Sequence, residues 1–107
     1  MESTEGERDH GLQPLEALLV AWGLGNHELV AASTEQLTHK QVQKARKGRQ
    51  LTLHTMQKVT RAFNVAIWNR LTAEQRERFF EYQHKHLFTY AKGRDPAWQD
   101  PNRGIVG

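Results

Sequence analysis

The sequence predicts an all-α protein, a bundle of four to five short helices followed by a longer C-terminal helix. Two observations carry this expectation. Apolar residues recur at helical spacing, as in Leu15, Leu18, Leu19 and Trp22, and again in Met56, Val59, Ala62 and Phe63. These runs are bracketed by residues that start or stop helices: Pro14, Thr38, Thr52 and Thr72 in front, and Gly23, Gly48 and Gly93 behind. At 107 residues the chain suffices for one small domain and is short for two.

The elements follow in order. Residues 1–12 are acidic, polar and aperiodic, and read as a disordered segment. A single helical domain over residues 13–91 follows. Its first helix covers 14–22, opened by Pro14 and stopped by Gly23. Asn26 caps a second helix at 27–33, with Leu29 and Val30 on its apolar side. After the polar break at residues 34–36, Thr38 caps a third helix at 39–47. Val42 and Ala45 point inward there, and Gly48 ends it. Thr52 caps a fourth helix that ends at Asn64, with a short apolar turn at residues 65–68. Thr72 followed by Gln75 matches a capping box and opens the longest helix, residues 73–91. Residues 92–107, with Pro96, Pro101 and Gly104, form an irregular tail.

Composition excludes several classes of function. There is no Cys, so disulfides and thiolate zinc sites are ruled out. No apolar run approaches the roughly 18 residues of a membrane span, and the N-terminus is the reverse of a secretory signal. A soluble cytoplasmic protein without a membrane partner is expected. His84 and His86 lie two apart and on different helix faces, so they read as surface imidazoles rather than a chelating pair. No nucleophile–base signature, His-Glu-x-x-His pattern or complete dinucleotide loop occurs. No catalytic residue, metal or cofactor is therefore expected.

Charge is unevenly placed. Between Gln36 and Ala73 there is no acidic residue, while Lys40, Lys44, Arg46, Lys47, Arg49, Lys58, Arg61 and Arg70 fall in that stretch. The segment carries +8 and the rest of the chain −5. A one-sign stretch repels itself, and a polyanion is the simplest compensation. Two short helices joined by a tight turn, the second basic on its outer face, are suited to reading the major groove of DNA. With Val42 and Ala45 facing the core, His39, Lys40, Gln43, Lys44 and Lys47 face outward or to the flanks. Gln can pair with adenine, and Lys can donate to guanine.

A resemblance sharpens this expectation. Gly23-Leu24-Gly25-Asn26-His27-Glu28-Leu29-Val30 resembles the junction between the first two helices of λ-repressor/Cro-like regulators, whose pattern is Gly-Leu-Ser/Thr-Gln-x-x-Leu-Ala. Residues 38–48, from Thr38 through Val42 to Lys47 and Gly48, are similar to their recognition helix. Residues 53–65 resemble the helix after it. The likeness covers residues 14–65 and departs from the family in the turn at residues 34–37, which is longer and lacks Gly. It implies a λ-repressor-like helix-turn-helix core, double-stranded DNA as partner and a role in transcription regulation. Position by position, it implies His39, Lys40, Gln43 and Lys44 at base edges. It places His27, Thr38, Lys47 and Arg49 nearest the phosphates.

The last helix lies outside the resemblance. Phe79, Phe80, Tyr82, Leu87, Phe88 and Tyr90 are more aromatic surface than a solvated helix needs. They either pack back over the first and fourth helices or pair with a second copy in a homodimer. The same residues support an alternative, a protein-interaction adaptor of antitoxin-like type. RNA binding through the basic stretch is a third reading, and that stretch lacks exposed aromatics for base stacking.

Overall fold

In a computed structural model, which describes residues 9–106, Pro14 opens α1 (Pro14–Trp22) and Gly23 closes it in the left-handed conformation, φ 70°. The helix buries Leu15 and Leu19 completely. The side chain of Arg70 donates to the carbonyls of Trp22 and Gly23, capping the negative end of the helix with a cation. The expected helix boundaries at residues 14 and 22 are those found.

α2 (Asn26–Ala32) starts one residue earlier than expected. Gly25, not Asn26, is the extended residue before it, and the Glu28 carboxylate accepts the Gly25 N–H at 2.8 Å. The connector to α3 (His39–Lys47) is held by short-range bonds. Ser33 Oγ accepts the Glu35 N–H, and Gln36 adopts a left-handed φ of 60°. That conformation normally selects glycine. It is tolerated here between Glu35, held in two 2.7 Å bonds from Arg61, and Leu37, buried in the core. α3 has the expected bounds. Thr38 Oγ1 accepts from Gln41 N–H while Gln41 Oε1 accepts from Thr38 N–H, a complete capping box.

Gly48 ends α3 at φ 92°, and the reason is not only torsional. A Cβ at Gly48 would lie 1.7 Å from the Gly11 carbonyl oxygen, because residues 9–11 cross over this turn. His10 N–H donates to the Gly48 carbonyl, Asp9 and Arg49 form an isolated antiparallel bridge, and the His10 ring stacks on Tyr90 at 4.2 Å. Of the segment expected to be disordered, residues 9–12 are thus partly anchored. Residues 1–8 lie outside the described residues.

The largest departures come next. α4 (Leu53–Trp68) is the longest helix and runs through Asn64 rather than ending there. Asn64 is buried, with its side chain turned to Tyr82: its amide donates to the Tyr82 carbonyl and its oxygen accepts the Tyr82 N–H, both at 2.9 Å. The expected long helix at residues 73–91 does not exist as one element. α5 (Ala73–Arg78) has the predicted Thr72–Gln75 capping box but stops at Arg78. Residues 79–83 are non-helical, with Phe79 and Gln83 extended, and α6 (His84–Leu87) is a single turn. The physical reason is tertiary pairing. Asn102, fully buried, binds the N–H and C=O of Phe80 just as Asn64 binds those of Tyr82. Two asparagine amides therefore satisfy backbone groups that a continuous helix would have satisfied internally. The tail expected to be irregular supplies Asn102 and a short last turn, α7 (Arg103–Val106).

One apolar core results, built from α1 to α4 with Leu24, Leu37, Leu71, Tyr82, Leu87, Phe88 and Ala91. Each fully buried Leu or Phe contributes about 1.5–3 kcal/mol of transfer free energy. No strand occurs among the described residues, and none of their helices is long and apolar enough to cross a membrane. Tyr82, Leu87 and Phe88 are buried in this core, so they offer no face for a second copy. The continuous aromatic helix expected to carry either packing or pairing is thereby corrected, while Phe80 stays exposed and Phe79 and Tyr90 half-buried. His86 is corrected too: it is buried, stacked on Trp98 at 4.2 Å, and accepts the Gln83 N–H through Nδ1.

Candidate nucleic-acid interface

The reciprocal cap at Thr38 and the buried pair Val42 and Ala45 fix the rotation of α3 about its own axis. His39, Lys40, Gln43 and Lys47 are consequently exposed and Lys44 is half-buried. Two adjacent ridges emerge at helical spacing. Lys40, Lys44 and Lys47 form one. His39 and Gln43 form the other, on the side of α3 that meets the start of α2.

That meeting is direct. The His27 and His39 rings lie 6.4 Å apart and nearly parallel, and Asn26 Nδ2 donates to Gln43 Oε1 at 3.0 Å. Asn26 Oδ1 in turn accepts from Arg46 Nη1 at 2.7 Å. The remaining edge of Arg46 is spent on Glu16 of α1, with Nε 2.6 Å from Oε1 and Nη2 3.1 Å from Oε2. A chain of side chains therefore runs from α1 through α3 and α2 to the exposed amide of Gln43. The hydrogen bonds from Arg46 hold the Glu16 carboxyl below its usual range, and Glu16 raises Arg46 correspondingly.

The structure brings His27, His39 and Gln43 together and lines Lys40, Lys44 and Lys47 beside them. Thr38 is exposed, with its hydroxyl engaged as the cap. Arg49 stands apart from this group. Its backbone belongs to the bridge with Asp9, its carbonyl accepts the Tyr90 hydroxyl, and it is engaged within the chain. Asn26 was read from sequence as a cap; its link to Gln43 spans 17 residues, and only the docking of α2 on α3 reveals it.

The acid-free stretch also looks different once folded. Arg46, Arg61 and Arg70 are matched by Glu16, Glu35 and Glu28, which precede the stretch in sequence and fold back onto it. Part of its charge is therefore compensated internally, where a polyanion was expected as the simplest compensation. Lys58 is buried on α4, near Glu35. What remains is local: among the described residues no carboxylate lies within 4.0 Å of Lys40, Lys44 or Lys47. α3 has no acid in its first turn either, where one would complement the helix dipole.

Elsewhere, an open groove of about 450 Å³ runs between α4 and residues 81–84, lined by Gln57, Thr60, Arg61, Asn64, Glu81, Tyr82, Gln83 and His84. Among the described residues no group of three or more His, Asp or Glu side chains is placed to hold a metal ion. Comparison with known proteins adds no relative: no family model, curated protein or solved structure matches the chain.

Proposed function

We propose that the chain binds double-stranded DNA in a sequence-specific manner and acts as a transcriptional regulator, with α2 and α3 as a helix-turn-helix pair and α3 entering the major groove. One observation carries this reading. The cationic ridge of Lys40, Lys44 and Lys47, uncompensated among the described residues, lies beside the polar ridge of His39 and Gln43, whereas Arg46, Arg61 and Arg70 are paired. Cations free of partners supply affinity for phosphate, and an adjacent row of donors supplies a means of reading bases. A helix of this diameter fits the major groove. His27 and Thr38, at the starts of α2 and α3, sit where backbone phosphates would pass; Arg49 is the weakest member of the set, being engaged elsewhere.

The adaptor reading rests on fewer residues, because Tyr82, Leu87 and Phe88 are buried while Phe80 is exposed and Phe79 and Tyr90 are half-buried. RNA binding is tested together with DNA binding. Fluorescence anisotropy with duplex DNA should give an affinity that falls with salt at a slope of about −0.9 per phosphate neutralised. On a preferred site, Lys44→Ala should cost about 1–3 kcal/mol. The combined reversal Lys40→Glu with Lys44→Glu should abolish binding at moderate salt. Unchanged binding by that double variant, or displacement of duplex by structured RNA at equal concentration, would contradict the proposal.

A further inference from the structure

Gln43 is the residue whose chemistry the fold constrains most. An isolated glutamine amide presents a donor and an acceptor side by side, and its two ends can exchange by rotation. In this chain the exchange is blocked by a sequence of one-way bonds. The Arg46 guanidinium has donors only, so the Asn26 atom facing it at 2.7 Å must be the carbonyl oxygen. The other end of the Asn26 amide is then a donor. The Gln43 atom facing it at 3.0 Å must therefore be the Gln43 oxygen. Arg46 cannot turn away, because Glu16 holds its Nε and Nη2. The Gln43 NH₂ is left as the outward end of an exposed side chain.

We propose that Gln43 is a specificity-determining residue set as a hydrogen-bond donor by the Glu16–Arg46–Asn26 chain, and that it reads guanine rather than adenine. The inference rests on the DNA-binding reading above. The major-groove edge of guanine offers two neighbouring acceptors, N7 and O6, and an outward NH₂ can donate to either. Adenine offers N7 beside an N6 amino group, which would oppose the outward Gln43 NH₂, while the Gln43 oxygen that N6 would need is turned inward to Asn26. Asn26, Arg46 and Glu16 are positioning residues, acting on the base only through Gln43.

The bond pattern also says how to reverse the preference. In Asn26→Asp, residue 26 has no donor left. Its carboxylate accepts both from Arg46 and from the Gln43 NH₂, which turns the Gln43 oxygen outward. An outward acceptor suits the amino groups of cytosine or adenine.

The test is selection of bound sequences from a random duplex pool with the full chain, run for the wild type, Gln43→Ala and Asn26→Asp, with thermal melts to confirm folding. Gln43→Ala identifies the base pair read, as the one position of the motif that becomes neutral. At that position the wild type should favour guanine by about tenfold, and Asn26→Asp should favour adenine or cytosine instead. Asn26→Leu, which removes the bond to Gln43 without replacing it, should broaden the choice. A wild-type motif with any other base there, or an Asn26→Asp motif identical to wild type, overturns the donor assignment and leaves DNA binding standing. A Gln43→Ala motif identical to wild type does the same. A wild-type pool with no enriched sequence overturns both.

Discussion

Glu16 is the only acid on α1, and the fold uses it to hold Arg46 rather than to solvate the helix. Its carboxyl is held low chiefly by the hydrogen bond from Arg46, so the bond contributes stability above the unfolded-state value for Glu, about 4.3. That contribution is lost as pH falls through the lowered folded-state value. Glu16→Gln should therefore lower the melting temperature near neutral pH and narrow its gap to wild type as pH drops below about 4. A gap that stays constant down to pH 2.5 would show that the difference does not come from the ionised Glu16 carboxylate. Asn64 is the residue whose role sequence reasoning misassigned. Asn is a reasonable helix stop, and only the position of Tyr82, 18 residues on, makes it an internal clamp. Asn64→Ala leaves a buried N–H and C=O without partners and should cost about 2–4 kcal/mol, measured by urea denaturation.

At the level of elements, boundaries set by local chemistry were readable and those set by distant residues were not. α1 and α3 have their expected bounds because Pro14, Gly23, Thr38 and Gly48 act through their own backbones. α2 was displaced by one residue because Glu28 caps Gly25 from inside the helix. The aromatic run after Thr72 has helical spacing, yet residues 79–83 are non-helical. There the paired amides of Asn64 and Asn102 outweigh local propensity. The segment should accordingly be a separable unit. Asn102→Ala should expose the amides of residues 80–83 to faster hydrogen exchange while those of α1 to α3 keep their protection. Uniform loss of protection across the chain would mean that the segment and the bundle unfold together.

For the whole molecule, the consequence of folding is to concentrate charge. The sequence distributes +8 over a stretch from Gln36 to Ala73, and the fold brings Glu16, Glu28 and Glu35 against the arginines of that stretch. The lysines of α3 are left as a compact ridge beside His39 and Gln43. Candidate residues on one helix, namely His39, Lys40, Gln43, Lys44 and Lys47, could be grouped from periodicity alone. His27 joins them in sequence only through the family resemblance and in the fold through the α2–α3 contact, and Arg49 proves to be occupied at the turn that residues 9–11 cross. An apolar surface, Val65 and Trp68 on α4 with Phe79 beside them, lies along a separate groove. The DNA-binding proposal assigns the duplex to the α3 ridge and not to this groove.

Titration of the ¹⁵N-labelled protein with a duplex carrying its selected site, followed by backbone amide shifts, distinguishes them most directly. The account predicts that the largest changes fall on residues 26–28 and 38–48, with Val65, Trp68 and Phe79 unaffected. Changes centred on Val65, Trp68 and Phe79, with α3 silent, would contradict it.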